Sequence, residues 1–160
     1  MKTRLLAAAV WLLVLGAGAP LLAASPSFIP PSKQEKCPVC GMFVAKYPEW
    51  VVELVYADGS HTVFDGVRDL VRFLADMRGF GSTKSREDVA AVFVMDYYSL
   101  EPIDGRAAFY VLGSDVHGPM GRELIPFEKE EEARGFLRDH HGTRILRFPE
   151  LPEALPALLD

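Results

Sequence analysis

Trp50-Val51-Val52-Glu53-Leu54-Val55-Tyr56-Ala57-Asp58-Gly59-Ser60-His61-Thr62-Val63-Phe64 reads as a β-hairpin. Trp50, Val52, Leu54 and Tyr56 alternate with Val51, Glu53 and Val55, giving one heavily apolar face and one mixed face. Asp58-Gly59 supplies the turn, and His61 to Phe64 return along the first strand. Asp65 can cap a helix. Val67, Leu70, Val71, Leu74 and Met77 then recur at helical spacing, which predicts an amphipathic helix over residues 66–77, ended by Gly79. A polar loop leads to Val89–Met95, a continuous apolar run that reads as a buried strand.

The same order returns downstream. Residues 107–112 read as a strand, 113–121 as a loop, and 123–127 as a short strand. A helix over 128–140 follows, its acidic first turns suited to the positive end of the helix dipole, and residues 143–148 form a last strand. Phe64 precedes Phe73-Leu74 by nine and ten residues, and Phe127 precedes Phe136-Leu137 by the same intervals. The fold class is therefore α+β: a ββαβ unit present twice, about residues 50–96 and 107–149. About 45 residues bury too little surface to stand alone, so the two units are expected to pack as one compact domain. The Pro- and Leu-rich tail, 150–160, suits a short helix or disorder equally.

Outward to the N-terminus, Lys2 and Arg4 precede an apolar run from Leu5 to Ala24. This is the pattern of a secretory signal peptide, residues 1–24, cleaved after Ala24. An uncleaved membrane anchor is the competing reading, since about 20 apolar residues barely span a bilayer. Either way the rest of the chain is expected in the periplasm or another extracytoplasmic space. A lipoprotein signal would need a cysteine directly after the small residues, and none occurs before Cys37. Residues 25–36, rich in proline, serine and lysine, read as a linker ahead of a domain over 37–149. The formal net charge is −5, about −7 without Lys2 and Arg4. With no basic stripe, nucleic acid is excluded as a partner.

The two cysteines of the chain lie together in Cys37-Pro38-Val39-Cys40-Gly41-Met42. Two thiols and a thioether within six residues are the soft ligands that select Cu(I) and other thiophilic metals. A structural zinc site would want a second pair, which is missing. A redox dithiol would open a helix after a strand, whereas here a Pro/Ser stretch precedes the pair and Gly41 follows it. An inert disulfide is also compatible with export. Met120, in the loop Ser114-Asp115-Val116-His117-Gly118-Pro119-Met120-Gly121, is a second methionine outside any apolar stripe, with His117 three residues upstream as a nitrogen donor. Met77 and Met95 fall on core positions. His61 is expected to face solvent, and His140 and His141 to close a helix. No nucleophile elbow or phosphate loop is present. Asp96, Glu101 and Asp104 read as solvated carboxylates in a turn-rich connection, with Asp96 and Tyr97 as candidates to orient ligands from behind.

Cys37-Pro-Val-Cys-Gly-Met42, Met95-Asp-Tyr-Tyr-Ser-Leu-Glu-Pro-Ile-Asp104, Ala108-Phe-Tyr-Val-Leu-Gly-Ser114, Gly118-Pro-Met-Gly121 and Leu124-Ile-Pro-Phe127 together resemble the NosL family, over about residues 37–149. The resemblance implies an exported Cu(I)-binding accessory protein of nitrous oxide reductase maturation, with a duplicated ββαβ fold similar to that of alkylmercury lyase. It implies Cys40, Met42 and Met120 as copper ligands, with Cys37 and His117 next in line. The expected function is a metallochaperone, not an enzyme. Its expected partners are a copper acceptor, nitrous oxide reductase or its assembly machinery, and a membrane transporter that supplies the metal. The alternative from another class is an extracytoplasmic thiol–disulfide oxidoreductase using Cys37 and Cys40.

Overall fold

The computed structural model describes residues 26–159; the expected signal peptide or anchor lies outside the described residues. The hairpin read from 50–64 is present as β1 (Val52–Tyr56) and β2 (His61–Phe64). Trp50 falls in a 3-10 turn before the strand, where Pro48 starts a helical turn instead of an extended one. The helix α1 runs Val67–Ala75 and ends at Asp76, short of Gly79. The last strand of the unit, β3, is Val89–Met95. A short β4 (Pro102–Asp104) pairs with its free edge.

The second unit comprises β5 (Phe109–Gly118), β6 (Gly121–Phe127), α2 (Glu130–Asp139) and β7 (Arg144–Arg147). The first sheet has the order β2-β1-β3-β4 and the second β6-β5-β7. In each unit the first strand is central and antiparallel to both of its neighbours. The registers correspond: Val52 faces Phe64 and Val94, and Phe109 faces Phe127 and Arg147. The duplicated ββαβ pattern is thus realised in two antiparallel sheets.

One part of the second unit departs from the sequence reading. The 113–121 stretch is not an open loop. β5 continues to Gly118, its pairing with β6 breaks after Leu112 and resumes at His117↔Arg122 and Gly118↔Gly121, and a two-residue turn, Pro119-Met120, joins the strands. Gly113 and Gly121 adopt positive φ, so glycines that read as loop residues serve the break in pairing and the end of the turn.

Alternation along the second sheet explains how the units join. Tyr110, Leu112, Leu124 and Leu146 enter one large core with Leu54, Phe64, Leu70 and Phe73 of the first unit. Val111, Ile125 and Phe127 point the other way, onto Ala133 and Phe136 of α2. The second sheet is therefore covered on both faces. The tail is ordered as a 3-10 stretch, Phe148–Ala154, and a short α3 (Leu155–Leu159), with Leu151, Ala154 and Leu158 in the large core.

The stretch read as a linker is docked. Phe28 meets Phe93 edge to face with ring centroids 6.1 Å apart, and Ile29 N donates to Glu53 Oε2 at 2.9 Å. His61 does not face open solvent. Its ring lies between Glu53 Oε1 (2.5 Å) and Glu35 Oε1 (2.7 Å). Partial burial lowers its basicity, but these two carboxylates outweigh that and raise its pKa. Among the described residues, no helix is long and apolar enough to cross a membrane.

Candidate metal centre

The Cys37–Met42 stretch closes on itself. Lys36 bridges to Phe43, Cys37 N donates to Met42 O at 2.9 Å, and Gly41 N donates to Cys37 O at 2.9 Å. Gly41 makes the turn at φ +80°, a conformation that favours glycine. The knuckle presents both sulfurs to the N-terminal end of α1. Cys37 is buried at 1% exposure and Cys40 is half-buried; both are free thiols.

Each thiol meets a carboxylate. Cys37 Sγ donates to Asp69 Oδ2 at 3.3 Å, and Cys40 Sγ donates to Asp65 Oδ1 at 3.1 Å. One ligand atom from each of Cys37, Cys40, Asp65 and Asp69 fits within a 4.8 Å span. Asp65 joins β2 to α1 and Asp69 lies in the first turn of α1; both are 1% exposed. Asp69 Oδ1 also takes Arg72 Nη1 at 3.3 Å. Asp65 Oδ2 is buried without a hydrogen-bond partner, a costly state that a cation or proton at the cluster would relieve. Burial, with the two carboxylates adding to it, drives the Cys37 thiol far above its ordinary range and pushes Cys40 up to about 12. Both cysteines are therefore protonated donors at neutral pH.

Asp65 was expected to cap α1 and does not. Gly66 is the N-cap and has no side chain to offer. The acceptor comes from the other unit: Glu123 Oε1 takes Arg68 N at 2.6 Å and its neighbour Leu124 N at 2.8 Å. Glu123 is 4% exposed, and burial raises its pKa to about 8, partly opposed by these two N–H bonds.

The remaining sequence candidates are distributed as follows. Met42 lies in the knuckle, half-buried. Met120 forms the β5–β6 turn, 38% exposed, with its carbonyl accepting Arg68 Nη1. The structure thus brings Cys37 and Cys40 together with Asp65 and Asp69, whereas the Met120 turn reaches α1 through its backbone carbonyl and the Arg68 guanidinium. His117 is exposed on β5, with Nδ1 at 3.0 Å from Asp115 O. Asp96 is not solvated: at 2% exposure it accepts Tyr98 N, Ser99 N and Ser99 Oγ on Oδ1 and Glu128 N on Oδ2. Tyr97 packs on Phe127 and Phe136 in the smaller core. Asp96 thus braces the turn at Tyr98 and Ser99 and ties it to Glu128 ahead of α2, while Tyr97 packs on β6 and α2. His140 stacks on Phe136 and meets Asp115 Oδ1 at 2.9 Å.

Sequence reasoning missed Asp65 and Asp69 as neighbours of the thiols. The signal available was Asp69 itself, a charge four residues before Phe73 on an otherwise apolar helical stripe.

A two-unit α+β domain that brings two free thiols together in a knuckle that also carries Met42 has the soft donors of a thiophilic-metal protein. The chain belongs to the NosL family, whose model matches residues 29–156. A similar protein is the copper-binding lipoprotein NosL of Stutzerimonas stutzeri, 31% identical over 130 residues; the match covers 76% of this chain and 64% of that one. The chain thus spans less than two thirds of that relative's length. The fold is similar to the crystal structure of the copper chaperone NosL from Shewanella denitrificans, with TM-score 0.67, 26% identity, and coverage of 82% of this chain and 99% of that one. A solution structure of apo-NosL from Achromobacter cycloclastes aligns with TM-score 0.47, 23% identity, and coverage of 65% and 86%. These relatives are named for copper binding and chaperoning, not for an enzymatic activity.

Proposed function

We propose that this chain is an extracytoplasmic copper metallochaperone that holds one Cu(I) and passes it to an acceptor enzyme, nitrous oxide reductase or its assembly machinery, after receiving it from a membrane transporter. The observation that carries the reading is the convergence of the two free thiols and two buried carboxylates within 4.8 Å, with Asp65 Oδ2 left unpartnered. The copper names of its relatives support the choice of metal.

In this reading the Cys40 thiolate and the Met42 and Met120 thioethers hold the ion, with Cys37 and His117 as further donors. Soft sulfur ligands favour Cu(I) over harder cations. Loading replaces the Cys40 S–H proton by copper, and Asp65 Oδ1, which already accepts that proton as a hydrogen bond, is placed to receive it. Half-burial of Cys40 and exposure of Met120 leave room for an incoming ligand during hand-over. A thiol–disulfide oxidoreductase is disfavoured on chemical grounds: its nucleophile needs a depressed thiol pKa, and here both thiols are raised.

The test is a transfer measurement. Protein loaded with one Cu(I) is mixed with copper-free nitrous oxide reductase while a Cu(I) chelator scavenges free ion. The reading expects copper in the reductase and little in the chelator. Copper that reaches the reductase only when the chelator is omitted would show release into solution and contradict a chaperone.

A further inference from the structure

The cysteines belong to the N-terminal side of the fold and Met120 to the second unit, so a shared site requires a joint between α1 and the β5–β6 hairpin. Arg68 and Glu123 form that joint. Glu123 reaches from β6 under α1 and accepts the Arg68 backbone N–H at 2.6 Å. Its carboxylate sits between two glycines. A Cβ at Gly66 would overlap it, and a Cβ at Gly118 would approach Glu123 Cγ to 3.1 Å. Gly66 opens the helix that carries Asp69; Gly118 precedes the turn that carries Met120. Farther out, the Arg68 guanidinium donates to the Met120 carbonyl. One residue of α1 is therefore tied to the hairpin twice, through its peptide and through its side chain. The next residue, Asp69, accepts the Cys37 thiol.

Resting on the copper reading above, we infer that Glu123 and Arg68 are positioning residues that fix the Met120 hairpin in register with the cysteine knuckle, so that Met120 serves as a copper ligand only while this joint is intact. Neither touches the ion. What Glu123 must supply is an acceptor at Oε1, which glutamine also offers and leucine does not.

The test compares Cu(I) affinity by chelator competition, and the sulfur count at copper by X-ray absorption, in wild type, Met120→Ala, Arg68→Leu, Glu123→Leu and Glu123→Gln. Residues that orient ligands typically contribute about 10–100-fold in metal affinity. Arg68→Leu and Glu123→Leu are expected to lose the same one sulfur as Met120→Ala and to bind roughly tenfold more weakly. Adding Met120→Ala to Arg68→Leu should cost nothing further, and Glu123→Gln should match wild type. If Glu123→Leu does not fold, Arg68→Leu decides alone, since the guanidinium it removes donates to the Met120 carbonyl. An Arg68→Leu protein with wild-type affinity and sulfur count, beside a Met120→Ala protein that has lost one, overturns the joint; so does a Glu123→Gln protein as weak as Glu123→Leu. If Met120→Ala keeps every sulfur while wild type binds copper, Met120 is no ligand, and both the ligand set proposed above and the joint's role fall together.

Discussion

At the scale of single residues, the centre is defined by thiols that cannot ionise unaided. Cys40 is pushed up to about 12, first by burial and further by its bond to Asp65. Its alkylation by iodoacetamide should keep rising with pH beyond 10, because only the thiolate reacts. A plateau near the usual cysteine pKa of about 8.5 would contradict the burial and the Asp65 contact. The cysteines and both candidate methionines were legible in the sequence because sulfur is rare there and clustered. Asp65 and Asp69 were not, because each has a blander local reading: Asp65 as a helix cap, Asp69 as one polar residue in a helix. Only the tertiary contact with the knuckle gives them their partners. Asp96 was misread for a related reason. A carboxylate in a turn-rich connection looks solvated until the backbone N–H groups that surround it are folded into place.

Among the elements, α1 is the hinge of the account, and its N-terminus is capped from another unit. Gly66→Ala should drive a Cβ into the Glu123 carboxylate, which is buried and has little room to move. Overpacking of this kind costs about 1–3 kcal/mol, readable by urea unfolding. Glu123 also gives a pH dependence of unusual sign. Its pKa is raised from 4.5 to about 8, by burial first and by nearby Asp69, against the pull of the N–H bonds and Arg68. The folded state thus holds a proton that the unfolded chain has released. The contribution to stability is full below 4.5 and is lost as pH rises through about 8. Glu123→Gln has no such proton, so its stability relative to wild type should improve between pH 5 and pH 8; an unchanged difference in urea unfolding at the two values would contradict it. Hairpins and helices were readable from alternation and helical spacing. The extension of β5 was not, because Gly113, Asp115, Gly118 and Pro119 carry turn chemistry locally while cross-strand pairing with β6 overrides it.

For the whole molecule, the duplication was legible in the paired nine- and ten-residue intervals, and the two sheets realise it with matching registers. What spacing could not show is that the units share a core and that both ends of the described chain are docked on it. Leu151, a tail residue 2% exposed in the large core, tests this. Leu151→Ala should destabilise the entire domain by about 2–5 kcal/mol in one cooperative unfolding transition; loss of the tail alone, with the sheets unchanged, would show that the tail is an appendage. The central claim, that this shared fold exists to hold copper at the cysteine knuckle, is tested most directly by native mass spectrometry of the reduced protein with one equivalent of Cu(I). Wild type should carry one copper per chain, and Cys40→Ser should carry none while unfolding at the wild-type temperature. A folded Cys40→Ser protein that still carries one copper would contradict the account.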